Sequence, residues 1–282
     1  MNAFLTRLRH NPSRIVWFLT LCFMILIVFL PIFFMFKFSI SDRSSIVTGG
    51  EIIPLWPYHA TFKTYGFILG YPDFYRAAGV SFKVAFLAIL ISMGLGVPAA
   101  YVLARYNLPG KAVLLIGLIS IRLFPDIVSI IPVAVAFGKV HLHDSYFGAA
   151  LAHSLLALPY VLYICMGVFE SIPRDLEKQA AILGAGKVYT LWHIILPLAK
   201  TGLAAAAIYT FLLSWDEFIF SYFLLGFGDL TTLPLYLKQK MAFSPPQDFI
   251  MAIAMLLSLP VILFTLVLQR YMQSGATAGA VK

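Results

Sequence analysis

Six apolar runs, each close to the ~20 residues that a bilayer core requires, constrain this chain more than any other feature. They fall at roughly 15–38, 77–104, 112–138, 146–169, 201–225 and 248–270. A backbone inside hydrocarbon must satisfy its own N–H and C=O groups, which leaves only helices or closed barrels. Continuous runs of this length select helices, so the predicted fold class is an all-α integral membrane protein with six transmembrane helices. Only 11% of the 282 residues are charged and 61% are hydrophobic, too little polar surface for a soluble domain. The net charge of +8 calls for no nucleic-acid partner, because basic residues retained in cytoplasmic loops account for it.

An even number of spans puts both termini on one side, and the basic residues choose the side. Arg7, Arg9 and Arg14 mark the first tail, and Arg105 and Lys111 flank the loop YNLPG. Arg174, Lys178, Lys187 and Lys200 mark the longest polar interval, and Arg270 and Lys282 the last tail. The positive-inside bias makes these segments cytoplasmic. The predicted layout is a tail at 1–14, a six-helix transmembrane domain at 15–270 with a polar loop at 170–200, and a tail at 271–282. The first run lacks a small-x-small cleavage site and reads as an uncleaved membrane helix. Cys22 and Cys165 lie in apolar runs and read as small buried hydrophobes.

The polar interval IPRDLEKQAAILGAGKVYTLWHIILP, Ile172 to Pro197, has the marks of ordered structure. Pro173 suits a first helical turn, where its missing N–H leaves no bond unmade. Asp175 and Glu177 place negative charge at the positive end of the helix dipole. The helix can run to Leu183, with Gly184 ending it in a left-handed turn. A second helical stretch, Val188 to Leu196, leads to Pro197 and the fifth span. Small Ala180 and Ala181 permit close approach, so the hairpin is built to dock onto something, although an ordinary interfacial helix has the same composition.

Charges inside the spans are the other departure. Arg122 and Asp126 sit one turn apart in the third span, and Trp215, Asp216 and Glu217 lie in the fifth, in LLSWDEFIFS. A charge at a helix centre costs ~2.5–3.5 kcal/mol on insertion scales, so these side chains must face protein or water. Arg122 is expected roughly 15 Å into its span and Asp216 roughly 18–22 Å into its own, at 1.5 Å per residue. Arg122 is therefore expected to meet Asp216 or Asp126, with Glu217 turned towards another helix or subunit. Such a network either lines a polar path or fixes helix register. GAGK at Gly184–Lys187 lacks the first Gly and the Ser/Thr of a phosphate loop and follows a helix. His141 and His143 have no accompanying ligand cluster, His153 reads as a packed, hydrogen-bonded residue, and no metal site or catalytic residue is predicted.

With these residues in view, the chain resembles the membrane-spanning permease subunits of bacterial ABC importers for carbohydrates, particularly the smaller six-helix partner of maltose-type systems. The polar interval is similar to the family signature IPRELEEAALIDGA…LP through Ile172, Pro173, Arg174, Leu176, Glu177, Ala180, Ile182, Gly184, Ala185 and Pro197. Lys178, Gln179 and Leu183 depart from it. SIRLFPDIVSIIP resembles the family's third helix, AAYVLARYNLPGK its second-helix exit, and WDEF its usual WNEF with Asp216 for Asn. The closing QRYMQSGATAGAVK is similar almost residue for residue.

The resemblance implies a type I importer permease fold in the bacterial inner membrane. Arg174 to Leu183 would be the coupling helix, with Arg174, Glu177, Lys178, Ala180, Ala181 and Gly184 at a separate ATPase. Gly275, Thr277, Gly279 and Lys282 would reach that ATPase dimer. A second permease subunit would complete the path, and an external binding protein would deliver a sugar, polyol or glycoside. The chain would bind no cofactor and catalyse no reaction itself, ATP and Mg being used by the ATPase. The rival reading is an ion- or proton-coupled secondary transporter using Arg122 and Asp216. Against it stand the hairpin and the absence of an inverted repeat.

Overall fold

The computed structural model describes residues 12–42, 56 and 59–279, with the backbone alone at 12–15, 268 and 270–279. Most of the linker between the first two runs lies outside the described residues, as do the tails 1–11 and 280–282. Among the described residues the chain is helical, apart from loops and one isolated antiparallel bridge, Ser41 to Ala60.

The chain divides into two compact units, residues 1–70 with 240–256, and 71–239 with 257–282. In the first, α1 (Pro12–Ser39) carries apolar side chains on every face, and those from Val16 to Leu30 are exposed. A helix apolar all round is suited to lipid or to another subunit. Cys22 lies on that exposed surface, not in a core. Near the end of α1 the Tyr65 hydroxyl of α2 (Lys63–Leu69) donates to Ser39 Oγ at 2.7 Å. Thr64 Oγ1 donates to Asp248 at 2.7 Å, at the start of the last helix, α12 (Gln247–Gly279).

The second unit is built on α3 (Pro72–Arg105) and α6 (Tyr146–Ser171). Ala77, Ser81, Ala85, Ala88, Ser92, Gly96, Ala100 and Ala104 recur every third or fourth residue of α3 and are all buried. The matching face of α6 presents Ala149, Ala152, His153, Leu156, Ala157, Val161 and Cys165. In lipid there is no hydrophobic drive between helices, so a small-residue stripe that brings backbones close is what holds such a pair. The contact is tight at Gly96, where an added Cβ would lie 2.6 Å from Val161 Cγ1. Gly94, two residues earlier, faces open space.

Two predicted spans differ from expectation. The third is not one helix: α4 (Lys111–Ile121) and α5 (Asp126–Lys139) meet at 97°. Pro125 forces this, since it has no N–H to continue α4 and disfavours a helical conformation at Phe124. The fifth starts well before residue 201. Helix α8 (Lys187–Thr190) runs through a wide turn at Leu191–Ile195 into α9 (Leu196–Trp215). Pro197 is thus no boundary; the wide turn just before it accommodates the missing donor at the cost of a local π geometry. The span then breaks again, and α10 (Ile219–Leu225) follows α9. With the bent pair counted as one, six segments among the described residues are long and apolar enough to cross a membrane.

Candidate functional site

The two breaks assemble a charged cleft. Arg122 closes the C-terminal end of α4, and Asp126 opens α5, where the helix dipole favours a carboxylate. Across the bend, Arg122 Nη1 lies 2.9 Å from Asp126 Oδ1. Of the two partners open to Arg122 on sequence, Asp126 makes the ion pair. Asp216, at the end of α9, lines the same cleft. The cleft measures about 470 Å³, and its remaining walls are Glu217, Leu156, Leu212, Leu213, Phe218 and Ile219.

Glu217 is held differently from its neighbour. Its carboxylate accepts from Phe220 N at 2.7 Å and Ser221 N at 2.9 Å, the otherwise unpaired amides of the first turn of α10. It also lies 3.2 Å from His153 Nε2 on α6, so it is turned to another helix of its own chain. His153 is fully buried and places Nδ1 2.7 Å from Ser214 Oγ. A serine, a histidine and a carboxylate are thus in line, but the histidine and serine are sealed inside the bundle and do not line the cleft. They tie the break in the fifth span to α6.

Trp215 does not line the cleft either. It is buried against Phe82, centroid to centroid 4.7 Å, and Phe211, at 5.5 Å, and donates from Nε1 to Leu257 O at 3.0 Å. The indole anchors the end of α9 in apolar packing.

The polar hairpin is a second ordered feature. Helix α7 (Asp175–Ile182) begins after Pro173 and ends where Gly184 takes φ +83°, the left-handed conformation a glycine adopts without penalty. One face of α7 is bolted to the end of α3. Glu177 Oε1 is 2.5 Å from Arg105 Nε, and the Tyr101 hydroxyl donates to Glu177 Oε2 at 3.0 Å. Arg174 donates to Ala104 O at 3.0 Å, and Arg105 to Ile172 O at 3.1 Å. Ala180 is buried, so its small size serves approach to this chain's own bundle. Lys178 pairs with Asp175 at 2.8 Å, and that hydrogen bond and charge hold the Asp175 carboxyl below the usual carboxylate range. Asp175, Lys178 and Gln179 are exposed, and at the end of α7 Ile182 and Leu183 are 84% and 87% exposed, with Val188 and Trp192 exposed further along the chain. Ala181 and Gly184 are exposed.

Other sequence candidates fall outside both features. His143 Nε2 lies 2.8 Å from Ala134 O, and His141 is in a turn with φ +56°. Gly275, Thr277 and Gly279 lie on the backbone of α12, and Lys282 lies outside the described residues. The sequence did not disclose the Arg105–Glu177 and His153–Glu217 contacts, which join residues distant in the chain. A charged residue at each span end, and a histidine mid-span, were the available signals.

A bent span and a broken span thus meet at the charged cleft, the kind of interruption that discontinuous membrane helices show. Residues 92–277 match the family described as "Binding-protein-dependent transport system inner membrane component", and the chain belongs to that family. It is 32% identical over 256 residues to the trehalose transport system permease protein SugB of Mycobacterium tuberculosis, covering 90% of this chain and 92% of SugB. It is 27% identical to the trehalose/maltose transport system permease protein MalG of Thermococcus litoralis, covering 96% and 97%. Among solved structures, a bacterial ABC transporter chain involved in alginate import superposes with TM-score 0.75 at 24% identity, covering 92% of this chain and 96% of that one. The last likeness speaks to fold, and it agrees with the type I importer permease fold that the sequence resemblance implied.

Proposed function

We propose that this chain is the permease subunit of an ATP-driven, binding-protein-dependent importer for a sugar or related polyol or glycoside. The observation that carries the reading is the hairpin: α7 is fixed to α3 by the Arg105–Glu177 pair while Ile182 and Leu183 face outward. A surface so braced transmits displacement into the bundle instead of absorbing it. Its counterpart is a separate ATPase dimer that uses ATP and Mg. Closure of that dimer pushes α7, and through Glu177, Arg105 and α3 switches the cleft between the two sides of the membrane. The charged cleft lies on the translocation path, a second permease subunit forms its other wall, and an external binding protein delivers the substrate. The substrate class is supported by the trehalose and maltose transport named for the relatives.

In this reading both termini and the hairpin are cytoplasmic, in line with the basic residues they carry, and the end of the chain reaches towards the ATPase. Uptake of labelled trehalose or maltose into proteoliposomes holding the assembled subunits tests it. The expected result is uptake that needs the ATPase subunit, ATP and the binding protein. Uptake driven by a proton gradient without ATP would replace this reading with a secondary transporter.

A further inference from the structure

The charged cleft has a chemistry narrower than the family requires. Its ion pair, Arg122 to Asp126, is self-neutralising. Glu217 is spent on two backbone amides and His153. That leaves Asp216, whose exposed carboxylate makes no hydrogen bond or ion pair among the described residues. Arg122 lines the same cleft, with Nη1 on Asp126 and the Tyr160 ring 5.8 Å from its guanidinium. An unpaired carboxylate and a guanidinium therefore share one cleft with Phe218 and leucines. Its volume of about 470 Å³ lies within the range of small-molecule sites.

We propose that Arg122 and Asp216 form a contact site for a neutral, polyhydroxylated ligand, and that Asp216 discriminates against anionic sugars. A sugar hydroxyl both donates and accepts, so adjacent hydroxyls satisfy Asp216 and Arg122 together, while C–H faces rest on the apolar lining. A uronate brings a second negative charge to a carboxylate with no counter-charge, and specificity by such a repulsive element is cheap to build. The inference rests on the transport reading above and adds the substrate's charge class and the residue that selects it.

The test uses the assembled importer, this chain with its partner permease and ATPase, in lipid nanodiscs without binding protein. Equilibrium dialysis compares trehalose with a diuronate of similar size. Trehalose is expected to bind at least about tenfold more tightly, the scale on which one unpaired polar group discriminates. Asp216→Asn should close that gap to less than about threefold, chiefly by improving diuronate binding, and Arg122→Gln should weaken trehalose about tenfold. Asp216→Ser, which also removes the charge, stands in if the Asn variant does not assemble. Equal affinities in the wild type, binding of neither probe, or a ratio unmoved by removing the charge would overturn the proposal. ATP-driven uptake measured on the same preparation separates the failures: uptake without charge discrimination sinks only this inference, and no ATP-driven uptake sinks the transport reading.

Discussion

Glu217 shows how an expensive residue becomes affordable in a membrane bundle. A carboxylate that accepts two helix-start amides and faces a histidine has its charge compensated although it is largely buried. Removing it exposes those amides as unpaired buried donors, each worth about 1–3 kcal/mol. Glu217→Ala is therefore expected to lower the thermal midpoint of the purified complex by several degrees, and Glu217→Gln, which keeps one acceptor oxygen, by clearly less. Equal midpoints for wild type and Glu217→Ala would show that the carboxylate does not hold the break. Gly96 and Gly94 supply a second contrast at this scale. Gly96→Leu forces side-chain volume against Val161, an overpacking cost of about 1–3 kcal/mol, and should reduce assembled complex. Gly94→Ala meets open space and should leave assembly unchanged. Both are read by size-exclusion yield.

At the level of elements, the fastening of α7 to α3 is the feature with the clearest consequence. Arg105 and Glu177 are a largely buried pair, and breaking it leaves one charge without its partner, a loss of about 3–5 kcal/mol at such sites. Glu177→Ala is expected to leave the complex assembled but cut ATP-driven uptake at least about tenfold, because the hairpin then moves without carrying α3. The charge-exchanged double variant Arg105→Glu/Glu177→Arg should recover part of that loss. Full uptake by Glu177→Ala would show that the brace carries no work. The elements also show where sequence reading succeeds. Pro173 and Gly184 bracket α7 because each answers a local backbone requirement, and local requirements are written locally. The breaks in the third and fifth spans were harder, since apolar side chains continue across both and hydropathy averages over them. Pro125, in RLFPD, was the signal for the first. The second has no proline and depends on Glu217 finding His153, 64 positions earlier in the chain.

For the whole molecule, six apolar runs were enough to set the class, because a bilayer admits so few backbone solutions. Cost alone requires the charged residues to face protein or water, yet cost does not say which partner each finds. Arg122 took Asp126 and left Asp216 without one, a difference that turns a register lock into a cleft with a directional charge. The facing of α7 was likewise invisible: small residues at 180 and 181 signal close approach, but only the folded chain shows that Ala180 is buried while Ala181, Ile182 and Leu183 are exposed.

The central claim is that this outward face of the hairpin receives the push of a separate ATPase. Site-specific crosslinking in the intact complex tests it directly, with a cysteine placed at Leu183 and, as a buried control, at Ala180. Leu183→Cys is expected to capture the ATPase subunit, with a yield that changes when ATP is bound, and Ala180→Cys is not. Capture from Ala180→Cys alone, or from neither position in an assembly that still imports, would contradict it.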